Sequence, residues 1–258
     1  MFKTFTQKIR KAFSDAANQY DILTSLHKEI GRELVKKNVR VSAEEILDVG
    51  CGTGYVANKA KFFFPESRII GLDIAEGMIL KAAQSHEGIP IDWLQADAQS
   101  LPFKDESFGL VLSNLAYQWA FDLERSFAEG RRILKKGGVF NITLFGHRTS
   151  EELLFSLNQV NAEFKFHFMP SVKRVQEALI KAGFKDGKVD FELIKVEFKD
   201  IYELLNWMKA IGANNLGDEK MFLGKQMLAK ADEYYHRRYP YNEGIAASFE
   251  VIWVYAKK

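Results

Sequence analysis

Residues 46 to 54 read Ile-Leu-Asp-Val-Gly-Cys-Gly-Thr-Gly: an apolar run carrying an acid, then three glycines at alternate positions, Gly50, Gly52 and Gly54. A turn so poor in side chains brings bare backbone to the start of a helix, where a charged, nucleotide-like ligand can lie against it. Asp73 follows nineteen residues after Gly54, at the end of the next apolar run. An acid there can accept both hydrogens of a ribose diol.

Two ligand classes compete for such a turn. A dinucleotide site favours Gly-x-Gly-x-x-Gly, whose third glycine lets helix and strand pack closely. Here the spacing is Gly-x-Gly-x-Gly, and Tyr55 stands where the helix begins. Asp48 sits badly beside a pyrophosphate, because like charges repel. It suits a ligand with an ammonium or a sulfonium. S-adenosylmethionine carries both, plus a ribose for Asp73; a nicotinamide oxidoreductase is the disfavoured rival. Cys51 reads as a small filler of the turn rather than a reactive thiol.

The turn needs a sheet beneath it, and the hydrophobic pattern supplies one. Residues 45–49, 68–73, 91–95, 108–114 and 139–144 read as strands, with helices expected at 55–64, 76–84 and 122–134. Leu123, Phe127, Ile133 and Leu134 share a face of the last helix, and Lys135-Lys136-Gly137-Gly138 is expected to close it with cations and glycines. Alternating strands and helices imply parallel strands covered on both faces. Farther on, 151–164 and 172–182 read as helices, and 189–198 and 246–256 as strands. Residues 200–240 form a helical piece with Ile201, Leu204, Leu205 and Met208 on one face. That piece is long for a connector and has the character of a lid or cap. The expectation is one domain over 1–258: a helical lid at 1–40, a cofactor-binding core at 41–198, a helical insertion at 199–243 and a last strand at 244–258.

As a set, these stretches resemble the class I S-adenosylmethionine-dependent methyltransferases over about residues 40 to 145. Residues 48–54 resemble their first motif, and Leu72-Asp73-Ile74 with Met78 their second. Ala96-Asp97-Ala98 resembles their adenine-binding acid. Residues 105–108 leading into 111–114 resemble the entry to the fourth strand, and 132–138 the stretch before the fifth. The resemblance implies an α/β, Rossmann-like fold with a mostly parallel seven-stranded sheet. It implies that Asp48, Gly50, Cys51, Gly52 and Gly54 surround the methionine end of S-adenosylmethionine and that Asp73 takes the ribose. Asp97 would accept from the adenine amino group, Ile74, Met78 and Ala98 would border the ring, and Leu115 would stand beside the reacting methyl. Helix core is the plainer alternative for Met78.

The motifs name a cofactor, not an acceptor, so the flanks matter. Residues 13–21, the segment Ser113-Asn114-Leu115-Ala116-Tyr117-Gln118-Trp119, residues 142–153 and residues 208–216 resemble the malonyl-acyl-carrier-protein O-methyltransferases of biotin synthesis. The resemblance then covers nearly the whole chain. It implies transfer of a methyl group to a free malonyl carboxylate, already ionised near neutral pH, so that no general base is needed. The site must orient one oxygen and exclude water. Tyr20 is the candidate hydroxyl over the methyl, Gln118 and Trp119 the candidate walls, and His147 and Arg148, with Lys8, the candidate cations for the carboxylate. An acidic carrier calls for a basic rim, for which Lys8, Arg10, Lys11, Arg237 and Arg238 are available. The alternatives are a free small acid, a quinone or a phenol as acceptor, or a domain that binds S-adenosylmethionine without catalysis.

Composition limits the rest. The 258 residues carry a formal net charge of +2, 47% hydrophobic residues and one Cys. Nothing forms the basic stripe expected of a nucleic-acid binder. One Cys excludes an internal disulfide, and the five His, at 27, 86, 147, 167 and 236, never pair at ligand spacing, so no metal is expected. No 18-residue apolar run or signal core is visible. A cytoplasmic protein without membrane contact is expected, and no oligomer is indicated, so a monomer is assumed.

Overall fold

The computed structural model describes residues 2–160, 169–213 and 224–258. Two helices open the chain, α1 (Phe2–Leu23) and α2 (Ser25–Lys36). Then come β1 (Glu45–Val49), α3 (Tyr55–Phe63), β2 (Arg68–Asp73), α4 (Glu76–Ser85), β3 (Ile91–Gln95) and β4 (Phe108–Asn114). A 3₁₀ turn at Tyr117–Trp119 leads to α5 (Leu123–Ile133), β5 (Leu134–Phe145), α6 (Glu151–Asn158) and α7 (Val172–Lys181). The remainder is β6 (Lys188–Phe198), α8 (Ile201–Ala210), α9 (Lys225–Arg238), β7 (Pro240–Tyr241) and β8 (Gly244–Lys257).

Seven strands form the sheet in the order β3-β2-β1-β4-β5-β8-β6, and the two-residue β7 pairs with β8. Strands β1 to β5 run parallel, while β8 is antiparallel to both β5 and β6. Both faces of β1 are covered: Leu47 and Val49 pack into one cluster and Ile46 into another, as a period-2 strand between helical layers requires. The strand order reverses between β1 and β4. A crevice therefore opens past their carboxyl ends, which is where open α/β sheets bind ligands.

The structure corrects three expectations of detail. The run 135–138 does not close α5. The helix already ends where Leu134 turns extended, with ψ 137°, and the run opens β5 as an irregularity between the Phe108–Leu134 and Leu110–Val139 pairs. Lys258 fixes it there, with Gly137 N donating to Lys258 O (3.0 Å) and Lys258 N donating to Gly138 O (3.0 Å). The helix expected over 151–164 ends at Asn158, with 161–168 outside the described residues. The 200–240 piece divides into α8 and α9, and the 214–216 end of the segment matched at 208–216 lies outside the described residues, as does His167. In α8, Ile201, Leu204 and Met208 are buried as the spacing predicts, and Leu205 is half-buried.

Candidate active site

Past the ends of β1 and β4 lies a cavity with about 830 Å³ of non-atom space, part of it open to solvent. Its floor is made by backbone. Gly50, Gly52 and Gly54 have φ of 69°, 54° and 89°, in the left-handed region that only glycine enters without strain. A Cβ on Gly50 would lie 2.2 Å from the Cβ of Ala116, and one on Gly54 2.5 Å from the Trp93 ring. The amides of Gly50 and Cys51 both donate to Leu72 O, at 2.7 and 2.9 Å, which pins the turn to β2. Across the crevice Leu115 takes φ 54°, costly for a branched side chain. Three hydrogen bonds hold it: its amide donates to Thr143 O (2.9 Å) and Oγ1 (3.2 Å), and Gln118 Nε2 donates to its carbonyl (2.7 Å). The kink brings Ala116 against Gly50.

Negative charge is concentrated below this floor and suppressed there. Asp73 lines the cavity and accepts from Gly52 N (2.9 Å) and Ala75 N (2.8 Å). Burial pushes its carboxyl up, and those backbone donors pull it part of the way back. Asp48 is 1% exposed, with neither carboxylate oxygen in a hydrogen bond. Burial pushes it up to about 8; the N–H of Ala57 opposes this in part, and Asp73 adds to it. The buried Cys51 thiol is raised well above its usual range by burial, then by Asp73 and Asp48. Such a site favours a cation, which would let the acids ionise. At the other end Asp97 accepts from Gln99 N (2.8 Å), while Gln99 Oε1 accepts from Asp122 N (2.9 Å).

The roof is made by side chains of α1. Thr6, Ile9, Phe13 and Tyr20 line the cavity, and their spacing puts them on one side of the helix. Phe13 meets Tyr20 and Trp119 edge-on, at centroid distances of 6.4 and 5.5 Å. Burial, then Asp73 and Asp21, keeps the Tyr20 hydroxyl protonated far beyond its usual range. The helix is latched to the floor at two points. Thr53 Oγ1 donates to Asp21 Oδ1 (2.8 Å), and Gly77 N donates to Ser14 Oγ (3.2 Å). Gly77 is required for the second, since a Cβ there would lie 2.6 Å from Ser14 O. Behind the roof His27 packs against Tyr20, Phe145 and Trp207. Burial lowers it to about 4, so the ring is neutral near pH 7. Its carbonyl accepts from Asn114 Nδ2 (2.9 Å), which orients that cavity-lining amide.

The cavity gathers Tyr20, Gly50, Gly52, Asp73, Ile74, Met78, Asp97, Ala98, Leu115 and Trp119. Asp48, Cys51 and Gly54 are not in its lining and belong to the layer beneath. Four candidates are placed elsewhere. Lys8 lines a separate cleft on the other side of α1. Gln118 is buried and holds the Leu115 kink instead of walling the cavity. His147 is half exposed with Nδ1 3.2 Å from the buried Glu250, and Arg148 pairs with Glu151 at 3.3 Å. Their place after β5 suggests the pocket, but carboxylates near at hand engage both. Among the described lining residues there is no Lys, Arg or His. Sequence reasoning assigned no site role to Thr6, Ile9, Phe13, Asn114 and Ala116, although the last three lie in the matched segments 13–21 and 113–119. The helical spacing 6, 9, 13, 20 is the signal that finds the first three.

Residues 47–142 match the family model described as a methyltransferase domain. A malonyl-acyl-carrier-protein O-methyltransferase of Hahella chejuensis is 33% identical over 97% of this chain and 90% of its own length. Its counterpart from Nitrosospira multiformis is 30% identical over 98% and 89%. Among solved structures, a putative methyltransferase from Bacillus halodurans superposes with a TM-score of 0.63 at 19% identity, covering 88% of this chain and 98% of that one. At that identity the likeness speaks for the fold alone.

Proposed function

The chain belongs to the malonyl-acyl-carrier-protein O-methyltransferase family, and we propose that it uses S-adenosylmethionine to methylate the free carboxylate of malonyl-acyl-carrier protein in biotin synthesis. The observation that carries the reading is one cavity with a glycine floor, acids at separated stations and a tyrosine overhead. The residues present suit the cofactor. The Gly50 and Gly52 backbone leaves room for its methionine end, and the buried Asp48 favours its ammonium. Asp73 has lone pairs left for a ribose diol, and Asp97, whose two oxygens accept from Gln99 Nε2 at 3.3 and 3.4 Å, has lone pairs left for the adenine amino group. Ile74, Met78 and Ala98 are the apolar border of the ring, and Leu115 stands beside the methyl.

Bound there, S-adenosylmethionine supplies a sulfonium-activated methyl that a carboxylate oxygen accepts, leaving S-adenosylhomocysteine, with no proton to transfer. The protein's task is orientation and water exclusion. Tyr20, held protonated, donates to one acceptor oxygen and leaves the other free to attack. Phe13 and Trp119 close the apolar side. A described lining without Lys, Arg or His leaves the acceptor carboxylate to the cofactor's positive charge and Tyr20, because a fixed Lys or Arg would weaken the nucleophile it paired with. The whole chain acts as one methyltransferase domain in which α1 is the lid.

The test is a mass shift of one methyl group on malonyl-carrier protein with S-adenosylmethionine, and none on the acetyl form. Equal methylation of both, or of the free acid alone, would overturn the acceptor.

A further inference from the structure

At the end of β4 the side-chain amide of Asn114 is held from two sides. Nδ2 donates to the carbonyl of His27 in α2 (2.9 Å), and Oδ1 accepts from Thr143 Oγ1 of β5 (2.8 Å). These partners admit one orientation, because a carbonyl can only accept and the nitrogen must therefore face His27. Thr143 is wholly buried, and its hydroxyl oxygen also accepts from the amide of Leu115 (3.2 Å). One hydroxyl thus ties Asn114 to the strained residue that follows it. On the α2 side Gly31 leaves room for the amide: a Cβ there would lie 2.8 Å from Val56 Cγ2 and 3.1 Å from Asn114 Nδ2. An amide nitrogen carries a second hydrogen. That one has no acceptor among the described residues, and Asn114 is a half-buried part of the cavity lining.

We propose that this second N–H donates to the acceptor carboxylate, which makes Asn114 a substrate-binding residue and Thr143 its positioning residue. The proposal rests on the acceptor reading above and deepens it. The floor has few amides to offer an anion: Gly50 and Cys51 donate to Leu72 O, Gly52 to Asp73 and Gly54 to Cys51 O. Donors must come from the wall and the roof. His27 sets the two side by side, since its ring packs against Tyr20 at a centroid distance of 6.0 Å while its carbonyl holds Asn114. Leu115, next in the chain, is the residue assigned to the methyl. Tyr20 and Asn114 together hold the oxygen that does not attack, without the ion pair that would quench the other. The carboxylate loses charge as the ester forms, so such a donor binds the ground state at least as firmly as the transition state. Its removal is then read in KM rather than in kcat.

The experiment compares the full chain as wild type, Asn114→Ala, Thr143→Val and Thr143→Ser. Methyl transfer to malonyl-carrier protein gives kcat and KM, and calorimetry gives the Kd of S-adenosylhomocysteine, each below the variant's unfolding midpoint. Asn114→Ala should raise the acceptor KM about tenfold, with kcat and the S-adenosylhomocysteine Kd within about twofold of wild type. Thr143→Val keeps the shape of the side chain but unlocks the amide, so KM should rise about threefold, and Thr143→Ser should restore it. This second pair carries the test if Asn114→Ala does not fold. An unchanged KM in Asn114→Ala and Thr143→Val overturns the proposal, and Thr143→Ser no better than Thr143→Val overturns the positioning role. An equal loss of S-adenosylhomocysteine affinity also overturns it, by placing the amide on the cofactor. Wild type that methylates a free dicarboxylic acid but not the carrier overturns the acceptor reading alone. The KM contrast is then read on that acid, where a rise of about tenfold supports Asn114 and no rise overturns it.

Discussion

The floor and the roof of the cavity are built in different ways. On the floor, Gly50, Gly52 and Gly54 take backbone angles open to few other residues, and Asp73 ties two amides at 2.9 and 2.8 Å. On the roof, Thr6, Ile9, Phe13 and Tyr20 are ordinary residues on an ordinary helix, held by two latches. On the function proposed above, the floor receives the cofactor and the roof meets the acceptor. A change to the floor should therefore abolish everything, whereas a change to the roof should separate cofactor binding from transfer.

The largest effect should come from Gly50→Ala. The new Cβ enters a left-handed backbone and meets the Ala116 Cβ at 2.2 Å. Strain and overpacking together should cost about 3 kcal/mol, lowering the unfolding midpoint and removing S-adenosylhomocysteine binding by calorimetry. Gly52→Ala, whose Cβ would have only the Tyr20 ring at 3.9 Å, should fold better and still lose the ligand. Equal stability of Gly50→Ala and wild type would mean that the floor is not rigid. Next in size is Asp73→Ala, which frees two backbone donors and removes the ribose partner. A loss of about 100-fold in cofactor affinity is expected, at roughly 1.5–3 kcal/mol per charged hydrogen bond. Tyr20→Phe probes the roof. The methyl acceptor's kcat/KM should drop about tenfold, the worth of one such bond, while S-adenosylhomocysteine affinity stays within about twofold. Parallel losses in both would erase the distinction between floor and roof.

The same contrast explains what the sequence made legible. Strands β1 to β4 match their predicted bounds because each is a short apolar run between turn residues. The floor is readable because a positive φ demands glycine and a sheet-end acid demands a partner, so both leave a residue type at a fixed spacing. The roof leaves only an amphipathic pattern that any packed helix shares. His147 and Arg148 were misplaced for a related reason. Their position after β5 is visible in sequence, but Glu250, about a hundred residues away, is brought beside them only by the antiparallel pairing of β8 with β5. The start of β5 was misread because cations and glycines after a helix usually cap it; here Lys258, from the far end of the chain, recruits them into the sheet.

The smallest effect tests the suppressed charge below the floor. Asp48 titrates at about 8 in the fold, against an ordinary value of 3.8. Between those values the folded protein holds a proton that the unfolded chain has released. Stability must then fall as pH rises through that window and level off above it, by at most about 1.4 kcal/mol per pH unit. Asp48→Asn removes this dependence. Urea unfolding at pH 6 and 7 should show wild type losing about 1 kcal/mol more than the variant over that step. Asp73 is shifted in the same direction and remains in both proteins, so the difference in slope reports Asp48 together with its coupling to Asp73. A ligand ammonium reverses the sense: it favours the ionised acid, so S-adenosylhomocysteine, which keeps the ammonium without the sulfonium, should bind wild type more tightly at pH 7 than at pH 6 and bind the variant with no such gain. Identical pH slopes for the two proteins, free and bound, would show that Asp48 is already ionised in the empty site and that the floor attracts the cofactor through backbone alone.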